Sequence, residues 1–236
     1  MEGVLEMSRP RAGVWGSAGR KVLPVILGFL PVGFAFGVLA VKSGMAASAA
    51  VLMSLIVYAG SAQLVSVGML AAGASPLAVV AATFVINLRH LLMSAALAPY
   101  LKSWPRRLVA LMTFEMTDET FALHASRFAE GDMDRAVTLA INVMAHAAWV
   151  GGTLLGCVSG GLLADVRPLG LDFALPAMFL ALLAGQCRSR AHLLAGVAGG
   201  AVSLGLLTGG LTDWNVILAA VAAASLALGV HTWTRK

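Results

Sequence analysis

Charged residues are scarce in this 236-residue chain: they make up 11% of it, against about 25% in soluble proteins. From Ser43 to Leu88 the sequence contains no Asp, Glu, Lys or Arg. Apolar residues account for 59% of the chain, and the mean hydropathy is +0.89. The shortage of charge excludes an ordinary soluble domain, and the composition indicates an integral membrane protein.

Cysteine is nearly absent as well. Cys157 and Cys187 each lie within an apolar segment, which argues against a disulfide framework and suggests no metal site. We expect no cofactor and no metal. The net charge of +5 comes from basic residues at the ends of apolar runs, where they anchor and orient helices. We therefore expect a lipid bilayer, and no nucleic acid, as the surroundings of this chain.

The apolar runs predict an all-α fold, a polytopic α-helical membrane protein with six to seven spans in a single transmembrane domain, residues 1–236. Residues 1–21 are expected to form a cytoplasmic N-terminal segment, and the first span follows at Val22–Val41. The uncharged stretch before Arg89 is too long for one helix, and Gly73–Pro76 predicts a turn within it.

Two topologies are open for Gly44–Ala72. As a full crossing, this segment would place Lys102, Arg106 and Arg107 on the side opposite the N-terminal basic residues. As a broken, re-entrant hairpin, it leaves only Lys42 and Arg167 outside and Arg89 in the membrane, with the other basic residues cytoplasmic. The positive-inside tendency favours the hairpin. Tyr58–Gln63, with Gly60, Ser61 and a polar Gln63, suits an unwound stretch, although an ordinary kinked helix fits too.

Arg89 lies between two apolar stretches. A guanidinium near the centre of a bilayer costs at least about 2.5 kcal/mol and does not lose its proton. Asn87 and His90 are three residues apart and share one face of a helix. The residues that we predict to bind a substrate are Gly60, Ser61, Gln63, Asn87, Arg89 and His90. A structural ion pair of Arg89 is the alternative.

Three acids follow in the segment Leu108–Leu123, where a continuous helix would place Glu115, Asp118 and Glu119 on one stripe. Acids crowded in an apolar setting suit proton uptake and release, so we predict a proton-coupling role. The alternative is an interfacial amphipathic helix whose acids lie in water.

A second polar stripe is predicted on the next long helix, where Asn142, His146 and Trp149 follow at i, i+4 and i+7. These residues either line a cavity or hold two helices together. Pro24, Pro31 and Pro176 are expected to interrupt helices, and we add Pro31 and Pro176 to the predicted cavity-lining residues because broken helices recur at transporter binding sites.

Five ordered motifs resemble those of the AzlC/BrnF family, the large subunits of bacterial branched-chain amino acid exporters. The match covers roughly Pro24 to Gln186, and five motifs in order are far more specific than any one of them. The motifs are Leu30–Gly37, Ala59–Gln63, Asn87–His90, Thr117–Glu119 and Leu171–Pro176.

The resemblance implies a multi-pass secondary transporter of the bacterial cell inner membrane, not an enzyme. It implies export of leucine, isoleucine and valine, with methionine as a further candidate, driven by the proton gradient. It also implies a partner, a small membrane subunit of the AzlD/BrnE type. The residues themselves support a zwitterionic amino-acid substrate, with Arg89 for the carboxylate and the acids for the ammonium group or the proton. Nothing in their spacing selects a branched side chain.

Two other functions compete with this reading. A passive channel for a small polar solute would also have small and polar residues along its path. A channel cannot move its solute uphill, so uphill efflux that a protonophore abolishes would indicate a coupled carrier. An intramembrane serine hydrolase would pair Ser61 with His90 or His146, and Ser61→Ala would then abolish proteolysis.

Overall fold

The computed structural model describes residues 11–162, 173, 180, 190–211, 218–219, 221–223 and 225–226. Over these residues the chain is helical and contains no strand, which confirms the all-α class. Pro176 and Cys187 lie outside the described residues. So do most residues of two uncharged stretches, 173–187 and 214–234, which are candidates for further spans. The helices are, in chain order, α1 (Arg11–Lys42), α2 (Ala47–Ile56), α3 (Gly60–Ala71), α4 (Pro76–Leu97), α5 (Arg106–Phe114), α6 (Asp118–Ala129), α7 (Arg135–Leu162) and α8 (Arg190–Thr208).

Three of the described helices, α1, α4 and α7, are long and apolar enough to cross a membrane. Helices α1 and α7 pack side by side in the same direction along a seam of glycines. A Cβ atom on Gly37 would lie 2.2 Å from the carbonyl oxygen of Thr153, and one on Gly156 would lie 2.1 Å from that of Phe34. Such close approach of two backbones is typical of small residues at helix interfaces in membranes. The buried residues of α1 and α7 make up most of a hydrophobic core cluster.

The expectation that prolines interrupt the first helix is wrong, because α1 is continuous through Pro24 and Pro31. A proline removes one N–H donor from a helix. In membrane helices that loss is tolerated where neighbouring helices and local adjustments satisfy the freed backbone groups. The extensive packing of α1 against α7 therefore keeps α1 intact, and the breaks of this fold lie elsewhere.

The first break separates α2 from α3 at residues 57–59. Tyr58 adopts a left-handed backbone conformation with φ 43°, which is rare for a residue other than glycine. The side-chain amide of Gln63 donates a 3.0 Å hydrogen bond to Ser54 Oγ and ties the two short helices together. The helix is thus interrupted in the segment for which the sequence predicted an unwound stretch.

The second break separates α5 from α6 at residues 115–117, and it corrects the prediction of one helix over Leu108–Leu123. Thr117 has an extended backbone, and its side chain accepts a hydrogen bond from the N–H of Thr120 (3.3 Å). Thr120 Oγ1 in turn accepts from the N–H of Thr117 (2.8 Å). This reciprocal capping starts a new helix at Asp118, so Glu115 is separated from the helix that carries Asp118 and Glu119.

Polar contacts join several elements at one end of the bundle. Lys21 Nζ lies 2.6 Å from Asp132 Oδ2, and Arg127 donates two hydrogen bonds to the same carboxylate. The Arg127 guanidinium, followed by Lys21, holds the pKa of Asp132 well below its usual range. Arg135 donates a 3.0 Å hydrogen bond to the carbonyl oxygen of Ser103. The segment before α5, the loop after α6 and the start of α7 therefore meet at the Lys21 end of α1.

Candidate functional site

The helix breaks face a cavity of about 160 Å³. Its walls come from one face of α1, the break before α3, the middle of α4, the start of α6 and the middle of α7. The residues that line it are Pro24, Val25, Gly28, Phe29, Val32, Tyr58, Ala59, Gly60, Ser61, Arg89, His90, Thr117, Asp118, Glu119 and Trp149.

Arg89 forms the centre of the polar wall. Its guanidinium makes an ion pair with Asp118 and donates a hydrogen bond to Ser61 Oγ. The side chains of Arg89 and Asp118 are 26% and 31% exposed, so the pair is open to the cavity and not sealed in the core. The Nε atom of Arg89 is buried and has no hydrogen-bond partner among the described residues. One cation thus connects α3, α4 and α6.

The two breaks explain why these groups converge. Gly60 and Ser61 begin α3, while Asp118 and Glu119 form the first turn of α6. Helix N-termini carry a partial positive charge and unpaired N–H groups, so each favours a neighbouring negative group. Glu119 is exposed on the cavity wall. The site can accordingly hold a carboxylate near Arg89 and a cation or proton near the acids.

The opposite wall is apolar. Phe29 of α1 packs edge-on against Trp149, with ring centroids 5.5 Å apart. The Trp149 ring lies against Gly60, where an added Cβ would approach it to 2.7 Å. Val25 and Val32 complete this wall. A polar wall facing an apolar one suits a small solute that has a charged end and an aliphatic end.

Gln63 lies behind the cavity and not on it. It is fully buried, and its Oε1 accepts a 3.0 Å hydrogen bond from Trp149 Nε1. Ser54, to which Gln63 donates, is 2.8 Å from Thr153 Oγ1. Gln63 therefore holds the Trp149 ring in place from behind.

Glu115 and His146 form a second pair, apart from the cavity lining. His146 Nδ1 is 2.8 Å from Glu115 Oε2, and His146 Nε2 is 3.1 Å from the carbonyl oxygen of Ser54. Both residues line a separate groove between α2 and α7. The Tyr58 ring, which lines the cavity, stacks on the imidazole of His146 with ring centroids 3.9 Å apart. Of the three predicted acids, only Asp118 and Glu119 line the cavity.

The other predicted residues fall on both sides of this boundary. His90 lines the cavity, and its Nδ1 is 3.1 Å from the carbonyl oxygen of Asn87, which does not line it. Asn142 is buried, and His124 Nε2 donates a 2.7 Å hydrogen bond to its Oδ1. Pro31 is exposed on the outer surface of α1.

Sequence reasoning missed several residues of this site. Phe29 and Val25 carry no distinguishing signal among so many apolar residues. Thr117 did carry one, because a threonine before two acids is a typical helix N-cap. Tyr58 directly precedes the small residues Ala59, Gly60 and Ser61. A bulky residue beside such a run is a signal that the local backbone fixes where its side chain lies.

Over the described residues the chain is helical, three helices are long and apolar enough to cross a membrane, and two interruptions between helices face a charged cavity. These features are typical of membrane proteins whose broken helices form a polar site. A family model described as "AzlC protein" matches residues 24–163. This chain belongs to the AzlC family.

The relatives of this chain include proteins named as membrane proteins and one named as a transport protein. It is 35% identical to an uncharacterized membrane protein of Archaeoglobus fulgidus over 84% of this chain and 87% of the relative. It is 29% identical to the inner membrane protein YgaZ of Escherichia coli, over 82% and 81% of the two chains. It is 25% identical to the branched-chain amino acid transport protein AzlC of Bacillus subtilis, over 96% and 88%. No solved structure matches this chain.

Proposed function

We propose that this chain is the large subunit of a secondary transporter that exports branched-chain amino acids across the bacterial inner membrane with proton coupling. The observation that carries the proposal is the Arg89–Asp118 ion pair in the wall of a cavity that is apolar on its other side. The cavity volume of about 160 Å³ lies below the range of about 300–1,000 Å³ typical of sites for drug-sized ligands. Leucine, isoleucine and valine are the substrates, in keeping with the name of the Bacillus subtilis relative, and methionine is a further candidate.

The ion pair suggests how a zwitterion is bound. A substrate carboxylate competes with Asp118 for the Arg89 guanidinium, which can hold a carboxylate through two parallel hydrogen bonds. Asp118, once displaced, lies beside Glu119 and can accept the substrate ammonium group or a proton. The solute thus replaces an internal salt bridge, so the charge of Arg89 stays compensated throughout.

Proton coupling is assigned to the cavity acids. Glu119 is the best placed of the three predicted groups, because Asp118 pairs with Arg89 and Glu115 contacts His146. A substrate ammonium and a proton would compete for the same carboxylates, and that competition is one way to link export to proton entry.

The contacts of Ser61 favour transport over hydrolysis. Its Oγ accepts a hydrogen bond from Arg89, a group that cannot act as a base. Over the described residues, no hydrogen bond joins Ser61 to His90 or His146, which bond to the Asn87 carbonyl and to Glu115 instead. A serine nucleophile needs a base within hydrogen-bond reach.

The proposed topology has α2–α3 as a re-entrant hairpin. The Lys21–Asp132 and Arg135–Ser103 contacts support it, because they link α1, α7 and the segment after α4 at one end. Helix α4 therefore ends near the Lys21 end and begins at the opposite end. The turn before α4 then lies on the Lys42 side, together with the start of α2. By the same reasoning α5–α6 enters and leaves at the Lys21 end, which is cytoplasmic by the positive-inside tendency.

The proposed partner is a small membrane subunit of the AzlD/BrnE type. Helix surfaces with small residues allow another membrane chain to approach closely. Gly151 on α7 and Gly200 on α8 are open in this way, since no atom lies within 4 Å of a Cβ built on either.

Reconstitution tests the function directly. Proteoliposomes containing this chain and the small subunit should move labelled leucine against its gradient when a pH gradient is imposed, and a protonophore should abolish that accumulation. Liposomes with this chain alone should show little transport. Downhill leucine flux that the protonophore does not change would indicate a channel. Full activity without the small subunit would remove the partner from the proposal.

A further inference from the structure

We infer that the hydroxyl group of Tyr58 binds the carboxylate or the ammonium group of the transported amino acid. This inference rests on the proposed function and assigns to the same cavity a residue beyond the predicted set. Tyr58 lies at the α2–α3 break and lines the cavity together with Ser61 and Arg89.

The first argument is an unsatisfied hydroxyl. Tyr58 is 2% exposed, and its Oη is buried with no hydrogen-bond partner among the described residues. A buried polar group without a partner is destabilising, and buried tyrosine hydroxyls usually have one. A hydroxyl both donates and accepts, so either end of a zwitterion can satisfy it.

The second argument is the backbone. Tyr58 has φ 43°, a conformation that costs of order 1–3 kcal/mol for a residue other than glycine and that clusters at functional sites. Glycine would relieve this strain, yet the position holds a tyrosine. The side chain must therefore contribute something that glycine cannot.

The third argument is that the ring is fixed. It stacks on His146 at 3.9 Å and meets Phe29 edge-on at 6.4 Å. The hydroxyl is consequently held in one place, where it is covered. Binding of a solute to it would require the break residues to move, so this contact would link solute binding to movement between α2 and α3.

Tyr58→Phe tests the inference because it removes only the hydroxyl and keeps the ring contacts. In the solute-free detergent-solubilised protein, we expect the melting temperature to stay equal or rise, since an unpaired buried oxygen is lost. Leucine should bind about tenfold more weakly, which corresponds to about 1.4 kcal/mol. Tyr100→Phe is the matched control: Tyr100 packs on Phe128, away from the cavity, and its loss should leave leucine affinity unchanged.

Two results would overturn the inference. One is wild-type leucine affinity in Tyr58→Phe. The other is a lower melting temperature of solute-free Tyr58→Phe but not of Tyr100→Phe, because the hydroxyl would then already have a partner. If the wild-type protein binds no leucine, the proposed substrate is wrong, and the melting temperatures still decide whether the Tyr58 hydroxyl is unsatisfied.

Discussion

Arg89 shows how a single charged residue can serve both stability and function. Its burial in an apolar environment is compensated by Asp118 and Ser61, and these are also the groups that a zwitterionic solute would contact. The sequence left two alternatives for Arg89, a substrate site and an internal ion pair. The structure contains the ion pair, and its partial exposure to the cavity keeps substrate binding compatible with it.

Charge variants of the pair separate the two roles. Arg89→Ala leaves Asp118 without its partner, and we expect it to destabilise the protein by about 1–3 kcal/mol, less than the 3–5 typical of fully buried pairs. It should also stop leucine export. Adding Asp118→Asn should restore membrane abundance but not export. Arg107→Ala, at an exposed arginine, is the control for loss of a positive charge.

The double variant gives the deciding measurement, namely membrane abundance beside the leucine export rate of each variant. The coupling between the two substitutions follows from a double-mutant cycle. If Arg89→Ala with Asp118→Asn recovers both abundance and export, Arg89 has an architectural role only, and the proposed carboxylate site is wrong.

Sequence periodicity predicted individual residues better than their partners. Seven of the predicted residues line the cavity: Gly60, Ser61, Arg89, His90, Asp118, Glu119 and Trp149. Gln63 and Asn142 do not, because each bonds to a side chain on another helix. A helical period indicates which residues share a face, but it does not indicate which element that face will meet.

At the scale of helices, the glycine seam between α1 and α7 determines where the cavity walls lie. The face of α1 that packs on α7 holds Phe29 against Trp149, so a shift of either helix would displace the apolar wall. Two glycines of α7 differ sharply in their surroundings. Gly156 faces the Phe34 backbone, while Gly151 faces open space.

This difference allows a matched test within one helix. Gly156→Ala would place a methyl group 2.1 Å from the Phe34 carbonyl oxygen, and overpacking of this kind costs about 1–3 kcal/mol. Gly151→Ala should be neutral or should stabilise by up to about 1 kcal/mol through its helix propensity. Melting temperatures of the two purified variants provide the comparison. Equal behaviour of both would show that the α1–α7 seam is not tightly packed.

The two breaks were not equally predictable. The first break could be predicted from Gly60, Ser61 and Gln63, because small and polar residues interrupt an apolar run there. The second was hidden, since Glu115, Asp118 and Glu119 also fit a helical period. Its signal was the Thr117 cap, a local feature that competes with periodicity. Conversely, Pro24 and Pro31 suggested breaks in α1 that its packing against α7 prevents.

At the scale of the whole molecule, the distribution of charge and the distribution of apolar surface agree. The outer face of α4 exposes apolar side chains along its length, including Leu77, Phe84 and Leu91, as expected of a surface in contact with lipid. Basic residues gather instead near the end defined by the Lys21–Asp132 and Arg135–Ser103 contacts. These two features together support the proposed orientation of the bundle in the membrane.

Cysteine labelling tests that orientation. In a background with Cys157 and Cys187 replaced by alanine, Ala72→Cys should react with a membrane-impermeant thiol reagent in intact cells, since the α3–α4 turn is proposed to face the periplasm. Ala72 is chosen because it is exposed, whereas Ser75 caps α4. Ser103→Cys, in the exposed segment before α5, should react only after permeabilisation, because its basic surroundings are proposed to be cytoplasmic. The seven-crossing alternative inverts both outcomes, so the reverse labelling pattern would rule out the re-entrant hairpin at α2–α3.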